Sequence, residues 1–184
     1  NVGGFGIDGC VSSLIGASLA KKDRLYFGVI GDLAFFYDLN SIGNRHVGNN
    51  LRILLVNNGK GTEFRNFNNL AALFGESADE FIAAGGHFGN KSHVLVKNYA
   101  ESLGFEYMSA SNKMEFEQVY RKFLTNQMLD KPILFEVFTN SYDESKALEI
   151  ITSISVTAKG KTKDTIRKIL GENNIRGLRR ILKR

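Results

Sequence analysis

Two oxygen-bearing side chains, Asp32 and Asn58, stand 26 residues apart, each at the end of an apolar run and each beside a glycine, Gly31 or Gly59. Magnesium takes hard oxygen ligands in an octahedron and usually shares them with phosphate groups and water. The carboxylate of Asp32, the amide oxygen of Asn58 and a backbone carbonyl just after it would fill part of that octahedron, with diphosphate oxygens and water completing it. The glycines let the backbone approach a ligand closely. The amides of Leu33 and Ala34 follow Asp32 at the opening of a helical stretch, where an anion is favoured.

Such a set works only if two strands end side by side, and the rest of the pattern provides for that. Residues 24–32 (RLYFGVIGD), 51–58 (LRILLVNN) and 131–139 (KPILFEVFT) are short apolar runs that read as buried strands, with Pro132 at the start of the last. Phe35, Phe36, Leu39 and Ile42 recur at helical spacing. Residues 92–104 read as a helix closed by Gly104, 113–129 as a longer amphipathic helix, and 143–154 as a helix with Asp143 near its start. Strands separated by helices imply parallel pairing and right-handed crossovers. The expected fold is α/β, a three-layer, doubly wound parallel sheet with helices on both faces. In such sheets ligands bind beyond the carboxyl ends of the strands, where Asp32 and Asn58 fall. Residues 59–91 make a connection longer than an ordinary loop, as active-site lids often are.

Each residue has a plainer reading. Alone, Asp32 would be a helix N-cap and Asn57-Asn58-Gly59 a turn; their pairing at strand ends beside a glycine-rich first loop favours the ligand role. Gly4–Gly9 (GFGIDG) spells a dinucleotide-binding pattern but lacks the strand that must precede it. Asp8 reads as a helix-capping or loop-fixing residue, Cys10 as a small buried residue of a first helix, and His46 as a surface residue. Phe35, Phe36 and Tyr37 read as core. Glu63 and Arg65 are candidates for lining a substrate entrance, and His87 for touching substrate from the lid.

Hydrophobic residues make up 43% of 184, enough for one full core, and no apolar run is long enough to span a membrane. The single cysteine excludes an internal disulfide and fits a reducing, cytoplasmic setting. With three histidines besides, a Cys/His zinc site is not expected. From Val156 to Arg184 ten Lys/Arg face two Asp/Glu, a net +8 against +5 for the whole chain, so residues 1–155 sum to about −3. The expected organisation is a ligand-binding domain over 1–155 and a basic, helical tail over 156–184. No aromatic residue interleaves the tail's charges, which weighs against nucleic acid. The start at Asn1, inside a loop, reads as part of a longer polypeptide.

The two strand-end motifs resemble the signature of thiamine diphosphate-dependent enzymes, Gly-Asp-Gly at one strand end and Asn-Asn at the next; here Leu33 replaces the last glycine. GDLAFFYDLNSI and NVGGFGIDGCVSS are similar to the branch that includes the menaquinone-pathway synthase, and KPILFEVFTNSYDESKAL to acetolactate synthase-type enzymes. The resemblance implies thiamine diphosphate and Mg2+ as cofactors, with Asp32, Asn58 and the Lys60 carbonyl on the metal. Gly31, Leu33 and Ala34 would meet the diphosphate, and Gly6 and Ile7 the pyrimidine, Ile7 as the wedge that bends the cofactor. It also implies a 2-oxo acid substrate that is decarboxylated or ligated, and a homodimer or tetramer. The activating glutamate would come from a pyrimidine-binding domain of the same or a neighbouring subunit. Val2 stands where the synthase branch has a substrate-binding arginine, which argues against that branch's own reaction. Two alternatives are a cofactor-binding subunit of a two-subunit 2-oxo acid decarboxylase, and a non-catalytic module whose basic tail binds nucleic acid or an acidic partner.

Overall fold

The computed structural model describes residues 7–80 and 92–154, the side chains of 78–80 excepted. The chain divides into two compact units, Asn1–Glu144 and Ser145–Arg184. Of the second, residues 145–154 are described and are helical; the basic tail expected over 156–184, like Gly6, Val2 and His87, lies outside the described residues.

In the first unit, helix α1 (Cys10–Ala20) leads to strand β1 (Tyr26–Gly31), helix α2 (Asp32–Tyr37) and strand β2 (Leu51–Asn57). Helix α3 (Leu95–Ser102), strand β3 (Glu106–Ala110), helix α4 (Lys113–Phe123) and strand β4 (Ile133–Phe138) follow. All pairings are parallel, in the order β1-β2-β4-β3. From β1 to β2 and from β2 to β3 the chain moves one way across the sheet; from β3 to β4 it turns back. With right-handed crossovers throughout, that reversal puts α4 on the opposite face from α2 and α3.

The two cores obey this. On one face Ile53 of β2 and Leu134 of β4, which pair in register, pack with Val11 and Ile15 of α1, Phe35 of α2 and Val96 and Ala100 of α3. On the other, Phe135 and Ile133 of β4 pack with Met108 and Ala110 of β3 and with Phe123 of α4. Phe35, Phe135, Ile53 and Leu134 are wholly buried, each worth roughly 1.5–3 kcal/mol of transfer free energy. The expected layered, doubly wound sheet is present.

Among the described residues it has four strands where the runs of apolar residues showed three. β3 (EYMSA) is a five-residue edge strand without an apolar run, defined by its pairing to β4. β1, read as buried, is the other edge: Ile30 is buried, but Val29 is 73% exposed because α4 lies over β3 and β4. The helical stretch after Asp32 breaks at Asp38 into α2 and a 3-10 turn, Leu39–Gly43. Tyr37, expected in the core, is 59% exposed. α4 stops at Phe123 rather than near 129, where the buried Arg52 guanidinium takes the carbonyls of Lys122, Phe123 and Gln127 at 3.2, 2.7 and 2.6 Å.

Candidate cofactor-binding site

β1 and β2 run side by side to Gly31↔Val56, so Asp32 and the Asn57-Asn58-Gly59 turn leave the sheet together at its carboxyl edge. Asp32 is 2% exposed. Its Oδ2 accepts the N–H of Gly59 at 2.6 Å and its Oδ1 the N–H of Leu33 at 2.8 Å. Gly59 has φ +77°, a left-handed conformation that glycine adopts without strain. The turn is closed from within, Asn58 Oδ1 accepting the N–H of Lys60 at 2.9 Å.

Two glutamates hold the paired asparagines from behind. Glu136 of β4, 1% exposed, accepts from Asn57 Nδ2 at 2.8 Å and from the Tyr107 hydroxyl of β3 at 2.7 Å. Burial pushes its carboxyl above the usual range, against the pull of Asn57, Tyr107 and nearby His93, while the charge of Asp32 adds to the rise. Burial and the same Glu136 raise the Tyr107 phenol far above its ordinary value. Glu144 accepts from Asn58 Nδ2 at 2.7 Å, from the Thr62 hydroxyl at 3.0 Å, and from the Thr139 hydroxyl. Thr139 in turn donates its N–H to the Asn57 carbonyl at 3.0 Å. Asn140 caps the following helix, its Oδ1 accepting the N–H of Tyr142 at 2.8 Å, which sets Glu144 in the first turn.

The first loop is fixed differently from expectation. Gly9, at φ +75°, is the N-cap of α1, not Asp8. The carboxylate that serves this helix end is Asp38, whose Oδ2 accepts the N–H of Ser12 at 2.6 Å while its Oδ1 accepts from Ser41. Ile7 is 40% exposed just before α1, and half-buried Cys10 donates its thiol to the Ile7 carbonyl at 3.5 Å. Glu63 and Arg65 lie in a 3-10 turn, Thr62–Arg65, directly after the Asn58–Lys60 turn. His46 is exposed, as expected, and accepts from Arg45 Nε at 3.2 Å.

Asp32, Leu33, Ala34, Asn58 and Lys60 therefore share one edge of the sheet. The sequence reading missed Glu136, Glu144, Tyr107 and Thr62. Glu144 carried a weak signal, an acidic residue in the first turn of a helix that Asn140 opens; Glu136, a charge inside an apolar run, carried a stronger one.

The donor set is carboxylate, amide oxygen and main-chain carbonyl, the hard oxygens that magnesium takes. Among the described residues no group of three or more His, Cys, Asp or Glu is placed to hold a metal by itself, so a cation here would need further oxygens from a ligand. A Cβ built on Gly31 would meet nothing within 4 Å, so the strand end opens on free space. The residues fit a magnesium-bound diphosphate.

No family model matches the chain. Among curated proteins it is 37% identical over 149 residues to the 2-succinyl-5-enolpyruvyl-6-hydroxy-3-cyclohexene-1-carboxylate synthase of Bacteroides fragilis, covering 81% of this chain and 25% of that protein. The synthases of Phocaeicola vulgatus and Bacteroides thetaiotaomicron are 37% and 35% identical over the same length, again over 25% of each. The chain thus spans about a quarter of the curated relatives it matches. Among solved structures it superposes on the Rhodococcus jostii thiamine diphosphate-dependent 4-hydroxybenzoylformate decarboxylase with a TM-score of 0.52 and 25% identity, over 71% of this chain and 23% of that one. Over four-fifths of its length the chain is a homologue of one quarter of these synthases, and its sheet shares the fold of a thiamine diphosphate-dependent decarboxylase.

Proposed function

We propose that this chain is the diphosphate- and Mg2+-binding domain of a thiamine diphosphate-dependent enzyme that decarboxylates or ligates 2-oxo acids. The observation that carries the reading is the hydrogen bond from the Gly59 N–H to Asp32 Oδ2, which fastens the two strand ends bearing the oxygen donors to each other. Asp32, Asn58 and the Lys60 carbonyl would hold the magnesium. Gly31, Leu33 and Ala34 would lie along the diphosphate, and Gly6 and Ile7 would face the pyrimidine. Bound thiamine diphosphate supplies a nucleophilic carbon and an electron sink for chemistry at a 2-oxo acid carbonyl. This chain's share is to neutralise and fix the phosphate end. The glutamate that activates the pyrimidine would come from a pyrimidine-binding domain of the same or a neighbouring subunit, in a homodimer or tetramer of the cytoplasm.

Thermal unfolding of the full chain with thiamine diphosphate, with and without Mg2+, tests the reading on wild type and Asp32→Ala. Ligand at about 100 times its dissociation constant stabilises the fold by roughly 2.7 kcal/mol. A shift that needs both Mg2+ and Asp32 is expected. A wild-type chain that shows no shift, alone and within its whole polypeptide, overturns the reading.

A further inference from the structure

Asn58 can serve a cation only with its amide oxygen forward, and an amide carries oxygen and nitrogen at nearly equal reach. What decides between them is on the far side of the side chain. An ionised carboxylate only accepts hydrogen bonds. Glu144 Oε2 lies 2.7 Å from Asn58 Nδ2, and Thr62 Oγ accepts from the same nitrogen while giving its own proton to Glu144 at 3.0 Å. Both amide hydrogens are thereby committed away from the strand-end opening. Turning the amide over would set its oxygen against the carboxylate, acceptor against acceptor. In the observed orientation one lone pair of Oδ1 takes the Lys60 N–H at 2.9 Å and the other is left for a ligand. Glu144 is held in its turn by Thr139 and by the Asn140-capped helix turn, so its position is set by the end of β4 rather than by the turn it serves.

We infer that Glu144 is a positioning residue for the cation: it selects and locks the amide orientation of Asn58 that presents oxygen to magnesium. This rests on the proposed function above. Partners of metal ligands that fix ligand orientation are worth about 10–100-fold in metal affinity when removed.

The test is the Mg2+ concentration dependence of the thermal shift in saturating thiamine diphosphate, measured on the full chain for wild type, Glu144→Ala, Glu144→Gln and Asp32→Ala. Glu144→Ala is expected to need about 10–100-fold more Mg2+. Glu144→Gln, which can still offer an oxygen to Asn58 Nδ2, is expected to recover most of that loss; a merely structural role would not follow Mg2+ in this way. If Glu144→Ala does not fold, Glu144→Asp, which draws the carboxylate back by one methylene, takes its place with a smaller expected loss. Unchanged Mg2+ dependence in the folded Glu144 variant, with Asp32→Ala inactive in binding, overturns the role of Glu144 and leaves the function standing. A wild-type chain indifferent to Mg2+, alone and within its whole polypeptide, overturns both.

Discussion

Asp32 at the end of β1 and Gly59 beyond the end of β2 are joined by a 2.6 Å hydrogen bond from main-chain N–H to carboxylate across 27 residues of chain. One oxygen of Asp32 thus closes the gap between neighbouring strand ends while the other accepts the N–H of Leu33 in the first turn of α2. The bond also sets the turn that carries Asn58 and Lys60, so the side chain proposed as ligand also places the other donors.

Gly31→Ala separates a ligand cradle from a structural turn. Gly31 has φ −73°, which any residue adopts, and a methyl there meets no atom within 4 Å. Fold stability in urea is expected to stay within about 0.5 kcal/mol of wild type. The magnesium-dependent shift with thiamine diphosphate is expected to shrink, because the methyl enters the space proposed for the diphosphate. Equal shifts in the two proteins would count against the cradle.

Asp38→Ala should loosen the first loop. It removes the bond to Ser12 that serves the start of α1, and lost caps cost about 1 kcal/mol. Burial alone would raise the Asp38 carboxyl, but its hydrogen bonds from Ser41 and Ser12 outweigh that and hold it below the usual 3.8. The native state therefore binds its proton less tightly than the unfolded chain. Its contribution is present at neutral pH and is lost as pH falls through the lowered value. Urea midpoints of wild type and variant should converge in acid; a constant gap would refute the assignment.

Glu136→Gln should show the opposite sign. Burial raises the folded carboxyl above the ordinary 4.5, so the native state holds the proton more tightly than the unfolded chain does. The stability Glu136 contributes is whole below the ordinary glutamate range and is lost as pH rises through the folded value. With Mg2+ and cofactor absent, the stability of wild type relative to Glu136→Gln should fall from acid toward neutral pH. Chemical unfolding at a series of pH values reads this directly, and a difference that rises with pH would contradict it.

Arg52→Leu should be costly although it puts an apolar residue inside a sheet. Arg52 is fully buried and satisfies three main-chain carbonyls, two at the end of α4 and one at Gln127 in the loop that follows. Its removal leaves acceptors without partners, at about 2–3 kcal/mol. Calorimetric Tm is the measurement, and a neutral effect would show that water replaces the guanidinium.

The sequence by itself determined the strand-helix alternation, the parallel sheet, and the meeting of Asp32 with the Asn57-Asn58 turn. All of these follow from local runs: apolar stretches of strand length, and polar residues with glycine where those stretches stop. A parallel sheet aligns such stops along one edge, so two separate motifs become one site. Tertiary structure alone decided what has no local signature. β3 exists through its pairing to β4, and the exposure of Val29 follows from α4 covering β3 and β4 and leaving that face of β1 bare. The carboxylate at the start of α1 comes from Asp38, and the two that hold Asn57 and Asn58 come from Glu136 and Glu144, 79 and 86 residues along the chain. Hydrogen bonds depend on distance in space and are blind to separation in sequence, so the meeting of Asp32 with the Asn57-Asn58 turn was legible in the chain while its supports required the fold.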